Sequence, residues 1–115
     1  MKVVTSDRRL TVRQSIRTPI RIRHWKSNIP EERGESENLS EEGILFATDS
    51  AIQVGTVLEI LLKMPEMITG RPTTEWLCSG HVVRVEPIES PRGKLGVGVQ
   101  FDCYDVSSAA VALSP

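Results

Sequence analysis

Apolar residues alternate with polar ones over several short stretches of this chain, and helical propensity is confined to its last few residues. Ile20 and Ile22 alternate with Arg21 and Arg23 directly after Thr18-Pro19, the period-two signature of a half-buried strand. Ile44-Leu45-Phe46-Ala47 is a short apolar run consistent with a second strand. Leu58, Ile60 and Leu62 share one face of the next, over Val57 to Lys63. Thr74 to Glu86 reads as a long extended stretch, with Leu77, Val83 and Val85 on one face and Cys78, Val82 and Arg84 on the other. Gly80 at its middle suggests a bulge or bend. Val97, Val99 and Phe101 alternate to make a last strand.

Between these stretches the chain carries turn residues. Residues 26–37 hold Asn28, Pro30, Gly34 and closely spaced charges, and read as an exposed loop. Gly55 marks a turn, Pro65 to Pro72 a loop that its glycine and prolines keep irregular, and Pro87 to Lys94 another turn. Residues 1–17 show no periodicity and are expected to form an extended, flexible arm. Ser107 to Leu113 has helical propensity but is too short to be stable undocked. The reading is five or six short strands in an antiparallel barrel or sandwich. A six-stranded barrel is preferred, because closure removes exposed edges. The organisation expected is all-β: arm 1–17, barrel 18–106, and a tail or short helix over 107–115.

Length and composition agree. A chain of 115 residues, 39% hydrophobic and 25% charged, suits one globular domain and needs no disulfide framework. No apolar run approaches the roughly 20 residues that cross a bilayer, so no membrane insertion is expected. The first ten residues are polar and basic, and the two cysteines, Cys78 and Cys103, lack metal-ligand spacing. A cytoplasmic location is the expectation.

The formal net charge of -1 conceals a segregation. Lys2, Arg8, Arg9, Arg13, Arg17, Arg21, Arg23 and Lys26 face only Asp7 in the first 26 residues, whereas Glu31, Glu32, Glu35, Glu37, Glu41 and Glu42 face only Arg33 over 31–42. Charge separated so sharply suggests an anion-binding end. Arginine dominates the basic stretch, and its planar fork suits phosphate oxygens or a base edge.

Two local patterns then stand out. Arg9-Leu10-Thr11-Val12-Arg13 is an Arg-x-x-x-Arg in the arm, with Arg8 before it, and Asn38-Leu39-Ser40-Glu41-Glu42-Gly43 is an Asn-x-Ser-x-x-Gly at the turn into the second apolar run. Arginines supply forked donors for phosphates and for the N7/O6 edge of guanine. Asn and Ser can hydrogen-bond base edges, and Gly43 lets backbone come close or adopt positive φ. No catalytic constellation accompanies them, since a nucleophile needs a base and an orienting group. The reading is therefore a binding module and not an enzyme. His24 and His81 lack partners at ligand spacing, and no metal or cofactor is expected. Gly96-x-Gly98 lacks the third glycine and the helix of a phosphate loop. Trp76 reads as packing, while Trp25 fits either packing or base stacking.

With these residues in place the chain resembles the PilZ domains, which bind the bacterial second messenger cyclic di-GMP. Arg9 to Arg13, Thr18-Pro19-Ile20-Arg21-Ile22, Asn38 to Gly43, Gly55-Thr56-Val57, Val82-Val83-Arg84-Val85 and Gly96-Val97-Gly98-Val99-Gln100-Phe101 follow the family pattern in order and spacing. The resemblance implies that Arg9 and Arg13 grip the ligand's phosphates and guanine edges from the arm. It implies that Asn38 and Ser40 read a guanine on the barrel surface, which Gly43 keeps open. Arg8 sits where the family favours an intercalated pair of ligand molecules. Asn38 replaces the Asp that many members carry, and the short tail leaves little chain for a long C-terminal helix.

The function this implies is a cyclic di-GMP receptor and adaptor that orders its arm on binding and signals to an effector protein. The alternative is a ligand-independent interaction module of the same fold, acting in pilus or motility machinery. A barrel for single-stranded nucleic acid is disfavoured, because 4% aromatic residues and no basic excess leave few stacking platforms and no broad cationic track.

Overall fold

A computed structural model describes residues 15–106. Its strands are β1 (Pro19–His24), β2 (Glu32–Leu39), β3 (Gly43–Thr48), β4 (Val57–Met64), β5 (Thr74–Ser90) and β6 (Gly93–Val106). They form a closed antiparallel barrel in the order β1-β2-β3-β6-β5-β4. The alternating residues fill it: Ile20, Ile22, Leu58, Ile60, Leu62, Val97 and Val99 are all buried, joined by Leu39, Phe46, Cys78 and Val82. Burying each large aliphatic side chain contributes about 1.5–3 kcal/mol. No helix among the described residues is long and apolar enough to cross a membrane.

The segment 26–37, expected as a loop, is a loop only at its start. Glu32–Leu39 is strand β2, paired to β1 on one side and β3 on the other. Of its inward positions, Gly34 and Ser36 lie opposite Ile20 and Phe46 and Leu39 is the one large buried apolar residue, so small residues largely take the place of an apolar stripe. Two ladders and the buried Ser36 hold a strand whose own residues would not. The segregated charges meet opposite charges in the fold: Arg21 pairs with Glu31 at 2.8 Å and Arg23 with Glu59 at 3.1 Å. Glu32 instead accepts a hydrogen bond from the Thr48 hydroxyl at 2.7 Å. The Arg21 hydrogen bond holds the Glu31 carboxyl below its usual range.

The turn expected over Pro87 to Lys94 is far shorter. β5 continues to Ser90 and β6 begins at Gly93, with Ser90 paired to Gly93; Gly93 also packs so closely on β3 that a Cβ there would lie 2.5 Å from the Thr48 backbone. Cys103 accordingly lies within β6, not past its end. In the segment 65–72 a single helical turn, α1 (Glu66–Thr69), stops at Gly70, whose φ of 78° is left-handed. The expected helix over 107–113 lies outside the described residues.

Two register shifts re-aim β5. The irregularity expected at Gly80 is there, but the extra residue is on the partner: Ser79 pairs with Cys103 and Gly80 with Phe101, which leaves Asp102 between. Asp102 turns to His81, with Oδ2 2.8 Å from Nδ1. At the second shift Val82 pairs with Val99 and Arg84 with Gly98, so Val83 is the extra residue. This corrects the expected sidedness, because Val82 stays buried while Arg84 moves to the outer surface. Leu77, placed opposite Cys78 by simple alternation, does lie on the other face, and Trp76 joins Cys78 inside.

Candidate functional site

Asn38 is the penultimate residue of β2, Ser40 opens the turn, and Gly43 begins β3. The turn is closed by the Ser40 N–H donating to the Gly43 carbonyl at 3.0 Å. The Ser40 hydroxyl accepts the Glu42 N–H at 3.1 Å. Its contact with the Gly43 carbonyl, at 3.5 Å, is too long to commit the hydroxyl proton, so a donor remains available. Gly43 is not among the residues with positive φ. What requires glycine is the close approach of β6, since a Cβ would lie 2.4 Å from the Val99 carbonyl oxygen.

Strand register extends this corner into a row. Asn38 pairs with Leu45, Leu45 with Gly98, and Gly98 with Arg84. Directly paired residues share a face, and the neighbours Ile44, Phe46, Val97 and Val99 are buried, so the row lies on the outer surface. It spans three strand spacings, on the order of 14 Å. Arg84 lies over Gly98, its Nε and Nη2 each 3.8 Å from where a Cβ would be. A polar amide thus stands at one end, a guanidinium at the other, and a floor of Leu45 and Gly98 between. Such a surface can take a flat aromatic ligand that carries acceptors at its edges.

The chain entering β1 reaches the same corner. The Ser15 hydroxyl is 3.4 Å from Oδ1 of Asn38, and Ile16 packs against the core. Beside Asn38, at the bulge between Ser36 and Asn38, Glu37 faces the β5–β6 turn. Its carboxylate accepts from the Ser90 hydroxyl at 2.7 Å and from Arg92 Nε at 3.0 Å, and Arg17 Nη2 lies 3.5 Å away. Burial pushes this carboxyl up, but the hydrogen bonds from Arg92 and Ser90 outweigh it and hold the group below the usual range.

Asn38, Ser40 and Gly43 are therefore brought together, while Arg8, Arg9 and Arg13 lie outside the described residues. Sequence reasoning missed Ser15, Glu37 and Arg84. For Arg84 a signal existed, the Val-x-Arg-Val pattern, but simple alternation put it on the face of Val82. Nothing in local sequence marks Glu37, whose hydrogen-bond partners Ser90 and Arg92 are 53 and 55 residues away. Trp76 is packing: it is buried and stacks on Tyr104 with centroids 4.2 Å apart. Trp25 is exposed, with the Lys26 ammonium 5.6 Å from its ring centroid. No cluster of His, Cys, Asp or Glu among the described residues could hold a metal ion.

A closed six-stranded barrel with a polar corner at the β2–β3 turn is the class of structure these observations define. The PilZ domain model matches residues 7–111, and the chain belongs to the PilZ domain family, whose members are binding and adaptor modules. Among solved structures the chain is similar to the inhibitor of motility MotI/DgrA of Bacillus subtilis, with a TM-score of 0.63 and 19% identity. The similarity covers 89% of this chain but 46% of that one, so this chain spans less than half the length of that relative. No curated protein matches the chain.

Proposed function

We propose that this domain is a cyclic di-GMP receptor that binds the nucleotide on the outer row from Asn38 to Arg84 and relays its occupancy to an effector protein. Arg9 and Arg13 clasp the phosphates and guanine edges. Asn38 and Ser40 read a guanine at the corner, and Arg84 closes the far end of the row. Arg8 favours an intercalated pair of ligand molecules. Signalling follows from the arm: once its arginines are neutralised by phosphate, the segment ahead of Ser15 is drawn to the barrel and the surface offered to a partner changes. No reaction is assigned to the domain.

The observation that carries this reading is the contact between Ser15 and Asn38. It brings the chain just after the Arg-x-x-x-Arg pattern to the Asn-x-Ser-x-x-Gly corner. Family membership supports the same ligand.

The test is calorimetric titration of cyclic di-GMP into the full chain and an Arg9→Ala/Arg13→Ala variant. The expectation is micromolar or tighter binding that weakens with salt, and a loss of at least tenfold in the variant, since each charge-assisted hydrogen bond is worth about 1.5–3 kcal/mol. No heat with the unaltered chain, or equal affinity in the variant, overturns the reading.

A further inference from the structure

We infer that Glu37 is an internal counter-ion for the base of the arm, one that gives up Arg17 when an anionic ligand occupies the Asn38 corner. The inference rests on the proposed ligand for its second half only; the contact itself is a property of the free chain.

Three observations carry it. The first is an inequality in how Glu37 is held. One carboxylate oxygen takes both the Ser90 hydroxyl and Arg92 Nε, whereas the other, among the described residues, faces Arg17 Nη2 at 3.5 Å. The Glu37 side chain is 11% exposed and that of Arg17 51%, so the arginine can leave without unburying the acid. A half-exposed pair at that separation is weak and exchangeable.

The second concerns what remains after Arg17 leaves. A carboxylate stripped of its only cation inside a protein is strongly unfavourable, but Glu37 keeps Ser90 and Arg92. Arg92 also has donors in excess: its Nη1 is 3.6 Å from Glu35, and its Nη2 is buried with no acceptor among the described residues. The compensation needed for release is therefore already built into the β5–β6 turn.

The third is position. Glu37 precedes Asn38 at the bulge, and Arg17 lies two residues beyond Ser15, which touches Asn38. Arg17 also continues the spacing of four set by Arg9 and Arg13. A dianion at the corner competes with Glu37 for the same guanidinium. Glu37 thus lowers affinity, and through Arg92 it links the arm to the β5–β6 turn.

The test is a thermodynamic cycle on the full chain with cyclic di-GMP as probe, using Glu37→Gln, Arg17→Ala and both together. Gln retains acceptors for Ser90 and Arg92 but loses the charge that holds Arg17. Glu37→Gln is expected to tighten binding about two- to fivefold, the range of a weak ion pair, and the gain should vanish when Arg17 is also Ala. Unchanged or weaker binding overturns the inference. A gain that persists without Arg17 also overturns it, because that is plain repulsion of the ligand. Hydrogen exchange on the ligand-free proteins gives an independent reading. Peptides covering residues 15–18 should exchange faster in both Glu37→Gln and Arg17→Ala. No change there removes the contact as a restraint even if the nucleotide binds. If the unaltered chain binds no nucleotide but exchange does respond, the proposed ligand fails and the counter-ion stands.

Discussion

Ser36 and Thr18 exchange two hydrogen bonds: the Ser36 N–H donates to the Thr18 carbonyl, and the Thr18 N–H donates to the Ser36 hydroxyl, both at 3.0 Å. The same hydroxyl donates to the carbonyl of Ile16. One buried side chain therefore satisfies the backbone on both sides of Arg17 and sets where the arm leaves the barrel. Ser36→Ala leaves a donor and an acceptor unmet, at a cost of about 1–3 kcal/mol. Urea unfolding should show that loss, with weaker cyclic di-GMP binding as a second consequence. Stability within a few tenths of the unaltered chain would contradict it.

Glycines 43 and 98 occupy the same surface for different reasons, and alanine separates them. At 43 a Cβ meets the Val99 carbonyl oxygen at 2.4 Å, so β3 and β6 must part. Gly43→Ala is expected to destabilise by about 1–3 kcal/mol. At 98 a Cβ meets Arg84 at 3.7–3.8 Å, which is ordinary contact. Gly98→Ala should melt close to the unaltered temperature.

The two ends of the surface row differ in how much each is expected to contribute to binding. Arg84→Ala removes a charge-assisted donor and should weaken cyclic di-GMP by about 10- to 100-fold, from roughly 1.5–3 kcal/mol. Asn38→Ala removes neutral hydrogen bonds worth about 0.5–1.5 kcal/mol each, a few-fold to tenfold. Calorimetry on the two variants ranks them. Full affinity in Arg84→Ala would take the far end out of the site.

The cysteines should react at very different rates. Cys78 is buried in the barrel, and desolvation pushes its thiol up to about 12, so it stays protonated and covered at neutral pH. Cys103 is exposed. A thiol reagent at pH 8 is expected to label one cysteine rapidly and the second only on unfolding. Fast labelling of two would place Cys78 outside the core.

Acid should weaken the tie between β2 and the β5–β6 turn. Because the folded carboxyl of Glu37 titrates below its unfolded value, its contribution is complete above about pH 4.3 and is lost as pH falls through the lowered value. The stability difference between the unaltered chain and Glu37→Gln should therefore be present at pH 7 and shrink at pH 3. A difference that is the same at both would mean that the charge plays no part.

Readable along the chain is whatever neighbouring residues decide among themselves. Alternation in Ile20/Ile22, Leu58/Ile60/Leu62 and Val97/Val99 marked inward faces, because a strand's side chains alternate whatever it pairs with. The motif residues Asn38, Ser40 and Gly43 were legible for the same reason, lying within one turn. Tertiary structure decided the rest. β2 exists through its two neighbours, since Gly34 and Ser36 leave room for Ile20 and Phe46 and Leu39 is its one large buried apolar residue. The extra residue at Val83 turned Arg84 outward, and a bulge depends on the register of the partner strand. The charge segregation dissolved in the same way: most of the acids 31–37 found partners far along the chain, and Glu37 met Arg92 and Arg17 only because the barrel closed. Pattern reports on adjacent residues; which of them meet across the barrel is set by closure and register.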